Sequence, residues 1–420
     1  MKIKDNPRNH WVLLYVAVNL VAAGIMWASG MLIGDLSGNP LYSKNILWIA
    51  TLLVCSSYIF LLGPVFSFIS KIRINKLSIG SLDESVAEKI GIILIFLQLG
   101  FMAFNFAAGV NIAGANTSRS NNPLALFWVA VPVDALFFIY YGFCRESPRF
   151  KWNLIVWILS NMMRGWSGMF LFVAFFEWCR AYRSGRISWR MVALVASIGI
   201  LFYPVLVNIK WVFRLSATSG MSLETFFTSI SNNLSSEDVL TIIGAGIEQV
   251  IGRLQVTSLV VEVARVQAYV QEEFARGAFT PFWLEGLHGI FIQKSLFHEN
   301  YIPIGVAFTQ YGDFSWQPEM LGDWNTNIGY VGWFFIAPHL IPFYLLYTIS
   351  LGAIAVFLAK WIGWNETVKD MVWLAWLVYL LPPWFATFVS VIHAMLIFLV
   401  LKFFLSGFKR YSDTSEISYP

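Results

Sequence analysis

Charge is what this sequence has least of. Only 12% of its 420 residues are Asp, Glu, Lys or Arg, about half the share found in soluble globular proteins. That is too few to cover the surface of a water-soluble fold of this length. Cysteine is scarcer still. Cys55, Cys144 and Cys179 each lie in or at the end of an apolar run, with no metal-ligand spacing and no CxxC, which argues against a disulfide scaffold, a zinc site or a redox motif. With 30 Gly and 15 Pro the chain is neither collagen-like nor low-complexity. The net charge of +4 is mild and the basic residues form no aromatic-interleaved patch, so nothing points to nucleic acid. What remains is 58% hydrophobic residues and a mean hydropathy of +0.65. That is the composition of a polytopic membrane protein.

A spanning helix needs about 20 apolar residues. Such runs occur near Trp11–Ala28, Ile46–Ile69, Ile90–Val110, Leu124–Phe143, Met191–Ile209, Tyr330–Ala359 and Phe388–Leu405. The run Met371–Phe385 is shorter and ends at Pro382-Pro383. No convincing small-residue cleavage site follows the basic start MKIKDNPRNH, so the first helix is expected to stay as an anchor.

Lysine and arginine set the orientation, because cytoplasmic loops carry an excess of both. With Lys2, Lys4 and Arg8 inside, alternation also puts inside the loops carrying Lys71, Arg73, Lys76 and Lys89, and Arg145, Arg149 and Lys151. Arg180, Arg183, Arg186 and Arg190 should lie inside too. That requires Lys151–Glu177 to cross twice, as a hairpin whose turn SNMMRGWSG faces outward. Each arm would be about 15 residues, roughly 22 Å, against a hydrocarbon core of roughly 30 Å. The tip would therefore be recessed. A single tilted helix is the alternative.

The expected architecture is all-α: a membrane bundle of about ten transmembrane helices with both termini inside and one large, mainly helical external loop. Residues 1–209 would form an N-terminal bundle that includes the hairpin 151–180. Residues 210–328 would form a loop subdomain, and 329–420 the C-terminal helices. Half of the 24 acids fall between Glu224 and Asp323. A structureless loop of that length would be unusual, and no internal repeat supports an inverted-repeat transporter.

Two arginines stand out. Residues from about Ala245 to Arg276 read as one helix, in which Glu262 can pair with Arg265 and Glu272 with Arg276. Arg253 has only Gln249, Val250, Val256 and Thr257 at helical spacing. It needs a partner from elsewhere, for which a phosphate is well suited, or it snorkels to water. Arg164 sits in the hairpin tip in an otherwise almost uncharged stretch, where an ionisable group is a functional candidate or an interfacial anchor. Two such arginines over a recessed pocket would suit a lipid-linked pyrophosphate, with Arg214 a weaker third.

The end of the loop, TQYGDFSWQPEMLGDWNTNIGYVGWFF, mixes aromatic and polar groups as a sugar cleft does. Tyr311, Trp316 and Trp324 offer stacking faces. Asp313, Gln317, Glu319, Asp323, Asn325 and Asn327 offer hydrogen bonds. An interfacial aromatic belt is the competing explanation for the tryptophans. Elsewhere, Asp134 either orients an arginine or bonds within the bundle. His339 and His393 are expected to pack, His288 and His298 are secondary base candidates, and Gln98 and Asn105 are expected to bond between helices.

The layout, the Arg-Gly tip SNMMRGWSGMFLF and the segment PEMLGDWNTNIGYVG resemble the bacterial O-antigen polymerases (Wzy-type) and the related ligases. The polymerase pattern runs Pro, acid, then Asn-x-Gly-x-x-Gly into a helix. The ligases' His-Asn pair is absent, which favours the polymerases. The resemblance implies a GT-C-like glycosyltransferase of the inner membrane. It would use an undecaprenyl-pyrophosphate-linked glycan as donor, a second as acceptor, and a periplasmic active site. On this reading Arg164, Arg253 and Arg214 would hold pyrophosphate, and Trp316, Trp324, Tyr311 and Asn327 the sugars. Asp323 takes the pattern's acid position and ranks first as base, with Glu319 second. Neither metal nor cofactor is required. The lipid bilayer, a chain-length regulator and a flippase would be its partners.

Overall fold

A computed structural model describes residues 6–75, 82–111, 123–187, 190, 228, 239–297, 301–312 and 326–415. Among them helices are the only extended elements, apart from one isolated β-bridge between Met31 and Pro40. Among the described residues, six helices are long and apolar enough to cross a membrane. The predicted span Met191–Ile209 lies outside the described residues.

The first half contributes α1 (Pro7–Ser29), α2 (Lys44–Lys71), α3 (Glu84–Ala108), α4 (Pro123–Ala130), α5 (Val133–Cys144), α6 (Phe150–Met163) and α7 (Met169–Arg183). Side-chain caps start three of them. Asn6, Ser43 and Asp83 accept from the backbone N–H of Arg8, Ile46 and Val86, satisfying donors that a helix start leaves free. Proline sets the irregularities. Pro64 lies in a π-turn over Leu61–Val65 within α2, and Pro132 separates α4 from α5, since it has no N–H to continue the ladder.

The predicted hairpin is α6 and α7. Their arms hold 14 and 15 residues, with Gly165 at φ 72° in the turn. Ion pairs fix the arms antiparallel. Arg145 and Glu146, just before α6, pair with Glu177 and Arg180 near the end of α7, at 2.9 and 3.3 Å.

The second half adds α8 (Val239–Leu254), α9 (Thr257–Arg265), α10 (Gln267–Ala275), α11 (Ile304–Tyr311), α12 (Gly332–Ile336), α13 (Ile341–Ile362), α14 (Glu366–Ala375) and α15 (Phe385–Ser415). Two expectations are corrected. The helix expected over 245–276 is three helices. Its first break, at Gln255–Val256, is held by Asn19 of α1, whose Oδ1 accepts from Val256 N (3.0 Å) and Thr257 Oγ1 (2.9 Å). The span expected to begin near Tyr330 is interrupted after Ile336, and the long helix resumes beyond Pro338.

Polar contacts gather the helix ends of the up-and-down bundle. Asp370 of α14, 1% exposed, lies between Arg183 (2.5 Å) and Arg8 (3.5 Å). Arg149 reaches Glu88 at 3.0 Å, and Lys360 donates to the Ile72 carbonyl. So α1, α3, α6 and α14 start, and α2, α7 and α13 finish, at one shared end.

The late loop is packed into this bundle. Asn19 lies ten residues inside the far end of α1, about 15 Å along the axis. Residues Thr257–Ala264 of α9 are all buried. Irregular backbone at that depth persists only when protein surrounds it, and the Asn19 hydrogen bonds supply the required partners.

Candidate functional site

The site is assembled at the hairpin tip. Arg164 ends α6, beside the last turn that carries Ser160 and Asn161. Its Nε donates to the Ser160 carbonyl at 3.1 Å and its Nη2 to Asp134 Oδ1 at 2.8 Å. The guanidinium lies 5.0 Å from the Phe101 ring centroid, a cation–π arrangement. Arg164 is only 6% exposed. Burial of this charge is tolerable because a carboxylate, a carbonyl and a ring face replace water.

Asp134 settles one open question, since it does orient an arginine. It stands in the first turn of α5, just past the Pro132 break. Its Oδ1 also accepts from Asn161 Nδ2 at 3.3 Å. The carboxylate nonetheless keeps 41% of its side-chain surface exposed. On the other side of the break, His393 bonds the Ala130 carbonyl at 2.8 Å.

Asn105 joins the tip from α3. Its Oδ1 accepts from Asn111 Nδ2 at 2.9 Å, and the Asn111 carbonyl accepts from Trp166 Nε1 at 3.4 Å. Asn105 is 2% exposed, yet its Nδ2 has no partner among the described residues; the buried Ser160 Oγ has none either. Buried polar atoms are usually bonded, and these two are among several in the fold without a partner among the described residues. Gln98 Nε2 makes the expected interhelical bond, to Asn153 Oδ1 at 2.8 Å, while its Oε1 likewise has no partner among the described residues.

Arg253 is held elsewhere. Its Nη1 lies 3.6 Å from Asp35 Oδ2, in the turn after α1, so the partner it lacked on its own helix is an acid from another segment. It stays half-exposed, at 49%. Among the described residues Arg164 and Arg253 share no partner. The helical pairs behave as expected, with Arg265 on Glu262 at 2.6 Å and Arg276 on Glu272.

Tyr311 ends α11 and packs edge-on against Tyr269, with centroids 5.2 Å apart. Burial and nearby Glu273 raise its phenol above the ordinary value. Asn327 builds a turn, its Oδ1 accepting from Gly329 N at 2.7 Å. Asp323, Glu319, Trp316, Trp324 and Arg214 lie outside the described residues, as do Asp313, Gln317, Asn325 and His298. His288 bonds the Trp283 carbonyl at 2.9 Å.

Glu285 was not singled out by sequence. It is 3% exposed, accepts from Ile304 N at 3.3 Å, and is pushed by burial to about 8. A lone acid within the aromatic run PFWLEGLH was the available signal. At the opposite end from the tip, Arg145, Glu177, Arg183 and Asp370 line a cavity of about 70 Å³. Its charges are balanced and it has room for a few waters rather than a glycan. No metal-binding group of His, Cys, Asp or Glu occurs among the described residues.

Compared with protein-family models, curated proteins and solved structures, the chain shows no match in any of the three.

Proposed function

We propose that this protein is a membrane glycosyltransferase that joins lipid-linked oligosaccharide repeat units into a surface polysaccharide. Its donor is a glycan on undecaprenyl pyrophosphate and its acceptor a second lipid-linked unit. The reaction takes place at the periplasmic side of the bacterial inner membrane, where the hairpin tip would face. The observation that carries this reading is Arg164, a buried arginine held in a fixed orientation at the tip of a short hairpin.

The chemistry suits such a group. As the bond from sugar C1 to the phosphate oxygen breaks, negative charge grows on the leaving pyrophosphate. A preoriented guanidinium stabilises that charge more than the ground state. Arg253 lies in the late loop beside the turn after α1 and is the second pyrophosphate candidate, with Arg214 the third. The polymerase resemblance offers Asp323 and Glu319 as candidates for the base that takes the proton of the attacking hydroxyl. Tyr311, Trp316, Trp324 and Asn327 would hold sugar rings. A flippase would deliver the units and a chain-length regulator would set their number.

Glycan profiling of a deletion strain tests the proposal. Single repeat units should replace long chains, and wild-type protein but not Arg164→Ala should restore them. Unchanged chain lengths in the deletion strain would overturn it. Long chains accumulating on the lipid carrier would instead indicate a ligase.

A further inference from the structure

The hairpin tip holds a carboxylate for which the proposed reaction has so far had no use. Asp134 binds Arg164 Nη2 and Asn161 Nδ2 through one oxygen, Oδ1. Its side chain is still 41% exposed. A carboxylate serving only to neutralise a buried arginine is best enclosed with it, as Asp370 is between Arg8 and Arg183 at 1% exposure. Asp134 is instead presented, beside a helix break and in a span whose mean hydropathy is 1.9. An ionisable group in an apolar span is a candidate for function.

Depth points the same way. Residues Phe150–Met163 of α6 lift the tip about 21 Å from the shared end, while the hydrocarbon core is about 30 Å thick. With the shared end at one membrane surface, Asp134 and Arg164 would sit in a recess roughly 10 Å below the other. A lipid diphosphate and its first sugar would reach that level. Asn105 Nδ2 and Ser160 Oγ, buried and without partners among the described residues, supply hydrogen-bonding capacity in the same cluster.

From this geometry we infer that Asp134, in place of Asp323 or Glu319, is the general base of the transfer reaction, with Arg164 beside it stabilising the leaving group. This rests on the glycosyltransferase reading. The acceptor hydroxyl gives its proton to the Asp134 carboxylate, through Oδ2. Its oxygen bonds to C1 of the donor sugar. The C1–O bond to the pyrophosphate breaks, and its electron pair leaves on that oxygen, which Arg164 faces. The proton then passes from Asp134 to water. The 2.8 Å link between the two residues keeps base and leaving-group clamp in one register.

The test uses full-length protein in nanodiscs with a synthetic polyprenyl-diphosphate oligosaccharide, measuring polyprenyl diphosphate release and product length. Donor binding is followed separately, by the thermal shift on adding polyprenyl diphosphate, and rates are normalised to binding-competent protein. Asp134→Asn retains both Oδ1 hydrogen bonds but is not basic. Its kcat should fall at least about a hundredfold, with donor KM and thermal shift within about threefold of wild type. Arg164→Lys should lose the thermal shift. A kcat for Asp134→Asn within threefold of wild type overturns the inference, as does loss of donor binding together with rate. If Asp323→Asn alone abolishes turnover, the base is Asp323, while the glycosyltransferase reading stands. Wild-type protein that releases no polyprenyl diphosphate, or Arg164→Lys indistinguishable from it, would bring down that reading itself.

Discussion

Arg183 and Asp370 lie 187 residues apart in sequence and 2.5 Å apart in space. Their contact joins the second arm of the hairpin to α14, while Arg8 of α1 reaches the same carboxylate at 3.5 Å. Three segments thus close one end of the bundle around a carboxylate with 1% exposure. Two cations share one buried acid here, so removing the acid leaves both with only their long contacts to the exposed Glu366.

Asp370→Asn is therefore expected to lower stability by about 3–5 kcal/mol. Glu366→Gln should cost less than about 1 kcal/mol, because Glu366 is 59% exposed and its arginine contacts are long, at 3.7 and 3.9 Å. Thermal unfolding of both variants in one detergent measures the difference. Equal losses would show that Asp370 does not organise this end.

Asn19→Leu should release the late loop from the membrane bundle. The substitution strands the Val256 N–H and the Thr257 hydroxyl, two buried donors at about 1–3 kcal/mol each. Amide exchange across residues 255–265 should speed up at least tenfold while α3 and α6 remain protected. Uniform protection would refute the anchoring role of Asn19.

Glu285 should make stability depend on pH. Its carboxyl is fully buried and raised from 4.5 to about 8, so between those values the folded protein holds a proton that the unfolded chain has released. Its contribution is fully present below 4.5 and is lost as pH rises through about 8. Glu285→Gln keeps an acceptor for Ile304 N and cannot ionise. The melting temperature of the variant should exceed that of wild type at pH 9 and match it near pH 4. Parallel curves across this range would contradict the burial of Glu285.

Asn105→Leu preserves size but removes the amide whose Nδ2 has no partner among the described residues. If that amide serves the acceptor glycan, acceptor KM should rise about tenfold, the cost of one hydrogen bond to a ligand of about 1.4 kcal/mol, with kcat little changed. An unaltered KM would make Asn105 purely structural.

Composition and charge made the membrane class and the hairpin legible, because Arg145, Arg149, Arg180 and Arg183 mark helix ends whatever they later pair with. Their partners were not legible. Arg253 has neutral helical neighbours, as its spacing says, yet Asp35 meets it from a turn more than 200 residues earlier. The break at Gln255–Val256 falls in a sequence with good helical periodicity and depends on Asn19, 237 residues from Val256. Asp134 could be read from its isolation after Pro132. Only the fold shows that it faces Arg164. Tertiary contacts decide each of these cases, and local pattern carries no trace of them.

The central claim is that the chain transfers a glycan from a lipid diphosphate. The most direct measurement is reconstitution of the pure protein in proteoliposomes with one synthetic polyprenyl-diphosphate repeat unit as sole substrate. The account predicts a ladder of products, each longer by one unit, and one polyprenyl diphosphate released per bond formed. Substrate recovered intact, or hydrolysed without any longer product, would contradict it.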